Sequence, residues 1–156
     1  MDSKKEMIEK YFNMVYKLAL SQTGNVHHSE DITGDVFLKF LQSAKKFESE
    51  EHIKAWLIRV TVNSSKSLFS ASWHRKIVPL EEDIPAEMPE EESEVYMEVM
   101  KLPKKYRTVI HLFYYEDMSV EEISKALNTN SSTIRSQLSR GRKILKDKLK
   151  GEYDYV

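Results

Sequence analysis

Apolar residues recur every three to four positions through most of this chain, and no strand-like alternation stands out. Ile8, Tyr11, Phe12, Val15, Leu18 and Ala19 form one such stripe opposite Lys and Glu, which predicts a first helix that Gly24-Asn25 breaks. Ser29 is the predicted N-cap of a second helix. Glu30 and Asp31 then fall in its first turn, where carboxylates complement the helix dipole. The stripe of this helix is Ile32, Val36, Phe37, Phe40 and Leu41. A polar stretch from Lys45 to His52 precedes a third helix, with Ile53, Trp56, Leu57, Val60, Ser64 and Leu68 at helical spacing. Three amphipathic helices of this kind can bury one core against each other.

The periodicity lapses over residues 77–92. Pro79, Pro85 and Pro89 discourage continuous helix there, and the run Glu90-Glu91-Glu92 opposes collapse. A second module is expected from Ser93. Leu102-Pro103 marks a helix start with proline at the first helical position, and Val109, Ile110 and Phe113 give that helix its apolar face. Ser119 with Glu122 three residues on spells a capping box for a short helix whose Val120, Ile123, Ala126 and Leu127 point inward. Asn128-Thr129-Asn130 reads as a turn. Ser131 or Ser132 then caps a longer helix that buries Ile134, Leu138 and Leu145. The expected fold is all-α: two small helical domains, 1–76 and 93–156, joined by an acidic linker, 77–92, with a helix-turn-helix in the second.

Charge sharpens this picture. The formal net charge is only -1, yet residues 77–100 hold nine acidic and no basic side chains, while residues 101–150 hold 12 basic against 5 acidic. A basic module beside an acidic connector points to a polyanionic partner. The long last helix separates its residues by face, with Ser132, Thr133, Arg135, Ser136, Ser139 and Arg140 opposite the apolar positions. Short hydroxyl side chains allow close approach to DNA, and arginine can engage guanine with two hydrogen bonds. Arg142, Lys143, Lys146, Lys148 and Lys150 would follow the backbone. The plain alternative is a solvated basic face, but charge alone would not call for interleaved hydroxyls.

Other chemistries find little support. The absence of cysteine excludes disulfides and thiolate metal sites and fits a reducing cytoplasm. The N-terminus lacks a signal-peptide core, and no apolar run approaches the roughly 20 residues that span a bilayer, so a cytoplasmic chain without membrane insertion is expected. His27-His28 cannot share a helix face, and no glycine-rich phosphate loop occurs. No metal, no cofactor and no catalytic residue is expected, and hence no enzyme.

Longer motifs then carry a resemblance. Leu102-Pro103, Tyr106-Arg107, Ser119-Val120-Glu121-Glu122-Ile123 and the run Ser132 to Arg142 resemble the C-terminal domain of extracytoplasmic-function sigma factors. Ser29 to Leu38 is similar to the polymerase-binding helix of that family, and Ala55-Trp56-Leu57-Ile58-Arg59-Val60 with Asn63 is similar to its promoter-melting helix. The resemblance spans nearly the whole chain, with both halves in order.

It implies a protein that binds bacterial core RNA polymerase and promoter DNA and is held by an anti-sigma factor. Ser131, Ser132, Thr133, Arg135, Ser136, Ser139, Arg140, Arg142 and Lys143 would meet the minus-thirty-five element. Arg59, Asn63, Lys66, Ser67, Arg75 and Lys76 would meet the minus-ten element, with Trp73 the aromatic best placed to stack. Asp31, Asp35, Lys39 and Gln42 would face the polymerase. The loop from Lys45 to Glu51 would capture an unstacked base, although its three glutamates are unexpected beside DNA. Gly34 stands where the family usually has glutamine, and the segment Phe69 to Lys76 is sparser in arginine than the family's. Two rivals are a stand-alone operator-binding regulator and an adaptor whose basic helix binds an acidic protein.

Overall fold

The computed structural model describes residues 3–72 and 90–153, in two compact units, the first built on three helices. Trp73, Arg75, Lys76 and most of the expected linker lie outside the described residues. Helix α1 spans Lys4–Thr23, α2 Val26–Gln42 and α3 Glu50–Ser72. Ser3 caps α1 by accepting from the Glu6 amide. Gly24 ends it in the left-handed region at φ 66°, which glycine adopts without a Cβ penalty.

That tight turn moves the next cap. Asn25 is already extended and its side chain accepts from the His28 amide at 2.8 Å, so α2 begins at Val26 rather than after Ser29. Ser29 is buried inside the helix, its hydroxyl donating to the Asn25 carbonyl and meeting the Thr23 hydroxyl at 3.0 Å. The core of this unit is Met7, Val15, Leu18, Ala19, Ile32, Val36, Phe40, Ile53, Leu57 and Ile58. Three expectations shift. Phe12 and Leu41 are 48 % and 52 % exposed, and Trp56 is half-buried. Trp56 packs with Phe40 and Phe47 at centroid distances of 5.9 and 5.7 Å.

The ends of the helices are tied by side chains far apart in sequence. The Lys4 ammonium donates to the carbonyls of Phe40, Leu41 and Ser43, satisfying the last turn of α2 with a cation at its negative end. Lys10 and the Tyr11 hydroxyl both donate to Glu50, in the first turn of α3. These hydrogen bonds, Lys10 first, hold the Glu50 carboxyl below its ordinary range. Burial, then the carboxylate itself, pushes the Tyr11 phenol up.

The second unit contains α4 (Glu90–Met100), α5 (Lys104–Ile110), most of α6 (Val120–Leu127) and α7 (Ser131–Tyr153). The run Glu90-Glu91-Glu92, expected to belong to the linker, instead opens α4, so the second module begins three residues before Ser93. Pro103 occupies the N-cap of α5, one position before the expected one. The buried positions include Tyr96, Val99, Leu102, Val109, Ile110, Leu112, Ile123, Ile134 and Leu138, with Phe113, Leu127 and Leu145 only half-buried. After Ile110 the helix widens into a π-helical turn, His111–Tyr115. Gly141 is buried where α7 crosses α5, and a Cβ there would lie 3.1 Å from Ile110 Cγ1 and 3.4 Å from Tyr106 Cβ.

Candidate nucleic-acid and polymerase interfaces

The helix-turn-helix is fixed from its ends inward. The Ser119 hydroxyl accepts from the Glu122 amide at 3.1 Å and Glu122 accepts from the Ser119 amide at 2.9 Å, the reciprocal capping box. Asn128 takes the left-handed conformation, φ 52°, and the Thr129 amide closes on the Ser124 carbonyl. Asn130, rather than either serine, caps α7: its side chain accepts from the Ser132 amide at 3.2 Å and from the Ser132 hydroxyl. Asparagine is as good a cap as serine, and the left-handed residue two positions earlier fixes where the helix can begin.

With Ile134, Leu138 and Gly141 buried, α7 turns Ser132, Thr133, Arg135, Ser136, Ser139, Arg140, Arg142 and Lys143 to solvent, and Ser131 is half-buried at its start. The described residues therefore bring all nine expected minus-thirty-five contacts onto one helix. Two of the arginines are already engaged. Arg135 Nη2 lies 3.0 Å from Glu121 Oε1 in the first turn of α6, with both side chains about 60 % exposed. Arg142 donates from Nε to the Leu138 carbonyl and rests its guanidinium over Phe113 and Tyr114, at 5.8 and 6.0 Å. Arg107, in the recognised Tyr106-Arg107 pair, serves the fold instead: it donates to the Met100 carbonyl, and burial pulls its pKa down.

In the first unit, Arg59, Asn63, Lys66 and Ser67 are all exposed on α3 at spacings of four, three and one, one continuous face opposite Ile53, Leu57 and Thr61. The loop expected to capture a base is partly committed to the fold. Phe47 sits among Phe40, His52 and Trp56, Ser49 caps α3, and Glu50 belongs to α3 with Lys10 and Tyr11 as partners. Lys45, Lys46, Glu48 and Ser49 remain exposed.

Asp31, Asp35, Lys39 and Gln42 are exposed along α2, with Asp35 and Lys39 paired at 3.0 Å. Between them stand Leu38 and Leu41, each 52 % exposed, which sequence reasoning missed as contacts. For Leu38 the available signal was its place outside the core stripe, since Ile32, Val36 and Phe40 already fill one face and Leu38 falls opposite it; the spacing of Leu41 assigns it to that stripe. Among the described residues, no group of three His, Cys, Asp or Glu could hold a metal ion, and no helix is long and apolar enough to cross a membrane.

Two family profiles match the two halves, Sigma-70 region 2 over residues 7–75 and Sigma-70, region 4 over residues 92–145. The chain belongs to the sigma-70 family of RNA polymerase sigma factors. Among its relatives is the ECF RNA polymerase sigma factor SigW of Bacillus subtilis, 25 % identical over 96 % of this chain and 90 % of that one. The ECF sigma factor SigE of Mycolicibacterium smegmatis is 29 % identical over 96 % of this chain and 62 % of that one. The sigma factor RpoE from Bartonella quintana, solved with the anti-sigma factor NepR, shares the fold at a TM-score of 0.76 and 20 % identity, covering 94 % of this chain and 96 % of that one. The protein is thus a sigma factor of the extracytoplasmic-function type, and it serves promoter-specific initiation by RNA polymerase. Sigma factors regulate transcription and are not themselves its catalysts.

Proposed function

We propose that this sigma factor divides promoter recognition between its two units. Residues 1–76 dock on core polymerase and hold the opened minus-ten element, and the helices from Glu90 onward read the minus-thirty-five element, with the acidic residues 77–89 as the connector between them. The observation that carries this reading is the sorting of α7: hydroxyls and cations on one side, Ile134, Leu138 and Gly141 on the other. A buried side that fits the core so closely leaves one orientation for the exposed side, and a helix so held can enter a major groove as a unit.

Docking on polymerase falls to α2. Leu38 and Leu41 supply apolar surface, and Asp31, Asp35, Lys39 and Gln42 supply the polar rim around it, an arrangement typical of protein interfaces. Arg59, Asn63, Lys66 and Ser67 on α3, together with Arg75 and Lys76 farther along the chain, hold the opened strand. Holding single-stranded bases offsets the few kcal/mol of unpairing, so strand opening is binding and the polymerase performs the chemistry. The protein works in the cytoplasm with the polymerase, needs no cofactor, and is held in reserve by an anti-sigma factor, as RpoE is bound by NepR.

Run-off transcription with purified bacterial core polymerase on pooled genomic promoter fragments tests the reading. Discrete transcripts that appear only with the protein support it and reveal the promoter. DNA binding without association with core would transfer the weight to a stand-alone regulator.

A further inference from the structure

The exposed cation expected to read a base does not stand alone. Arg135 leaves α7 and meets Glu121, a residue of the neighbouring helix, across 14 positions of sequence. Glu121 does not take part in the capping box, which Ser119 and Glu122 close between them. Its carboxylate is therefore spare for Arg135, and the short turn at 128–130, pinned by the Ser124–Thr129 and Asn130–Ser132 hydrogen bonds, fixes the separation of the two backbones. A guanidinium carries five donors in a planar fork. One carboxylate oxygen occupies Nη2 and leaves other donors of the fork to face outward.

We propose that Glu121 is a positioning residue for promoter reading: its carboxylate holds the Arg135 guanidinium in the plane from which its remaining donors meet a guanine of the minus-thirty-five element. The proposal rests on the reading of α7 given above and deepens it. An unrestrained arginine on an exposed helix samples many rotamers and finds phosphates as readily as bases. Tethered to Glu121, it is restricted in orientation, and its charge toward phosphate is partly offset. The carboxylate thus trades non-specific attraction for base selectivity. Its contribution to folding is small, because both side chains are about 60 % exposed and water screens the pair.

The test uses holoenzyme reconstituted from core polymerase and the full chain, on the promoter that run-off transcription identifies. Equilibrium binding is measured on that promoter and on variants with each minus-thirty-five guanine replaced in turn. Arg135→Ala marks the position that Arg135 reads, as the one replacement to which it becomes indifferent; a good arginine–guanine pair is worth about tenfold in discrimination or more. Glu121→Ala is then expected to lose most of the discrimination at that position alone while binding the other sequences as tightly or more tightly. Glu121→Gln, which keeps an acceptor oxygen for Arg135, is expected to retain it. Undiminished discrimination in Glu121→Ala, or affinity raised equally on every sequence, would overturn the proposal and make Glu121 a mere counter-charge. If Arg135→Ala alters no position selectively, the base-reading role of α7 at Arg135 falls, and the positioning role with it.

Discussion

Replacing Gly34 with alanine should stabilise the N-terminal unit. Gly34 lies in the middle of α2, exposed, and a Cβ built on it has nothing within 4 Å. No turn, cap or neighbouring backbone requires glycine there, so only its conformational freedom in the unfolded chain is at issue. Glycine in a helix interior is less favourable than alanine by roughly 0.5–1 kcal/mol. For a unit of this size, that corresponds to a rise in Tm of roughly 2–8 °C. Thermal unfolding followed by tryptophan fluorescence isolates the effect, because the only two tryptophans, Trp56 and Trp73, both lie in the N-terminal half of the chain. An unchanged or lowered midpoint would refute the reasoning. It would mean that α2 is not helical through Gly34 in solution, or that the exposed face is covered.

Other perturbations reach other parts of the molecule. Leu38→Ala with Leu41→Ala should weaken binding to core polymerase by about tenfold or more, given what burial of a leucine is worth, while the melting temperature holds; a fluorescence titration with core that shows no loss would move docking away from α2. Arg135→Ala should lower promoter-specific run-off while leaving core association intact, and equal output from mutant and wild type would remove Arg135 from the recognition face. Glu50 has a folded pKa below its unfolded one, so its contribution to stability is present above the ordinary glutamate range and is lost as pH falls through the depressed value. Glu50→Gln should therefore flatten the acid limb of a Tm-against-pH curve, and superimposable limbs would contradict the clasp. The Tyr11 phenol, raised by burial, has the opposite sign: its contribution is present below about pH 10 and is lost as pH rises beyond it, so Tyr11→Phe should blunt alkaline destabilisation.

The helices and the inward faces of α3, α6 and α7 were legible because a 3.6-residue period leaves its mark on any amphipathic helix. The capping box at Ser119 and Glu122 was legible for a related reason, since both hydrogen bonds run between residues three apart. What stayed hidden depended on distance in sequence or on neighbours. Ser29 looks like a cap until Asn25, freed by the left-handed Gly24, takes that role and buries it. Leu41 looks like core, yet Phe40 fills the space beside it and leaves Leu41 outside. Among the expected contacts, exposure followed the periodicity, but the pairings Arg135–Glu121 and Arg142 with Phe113 and Tyr114 are tertiary, and no spacing rule encodes them.

Lys4 has a consequence for association as well as for folding. Its ammonium holds the carbonyls of Phe40, Leu41 and Ser43, at the end of α2 where Leu41 is exposed. A helix end left to water frays, and a partner that binds it must then order it, losing affinity to the entropy of that ordering. Here a residue in the first turn of α1 has already removed that freedom. The docking surface proposed for α2 is thus preorganised by a side chain that need never touch the polymerase, and loss of Lys4 should register first as weaker capture of core by an otherwise folded protein.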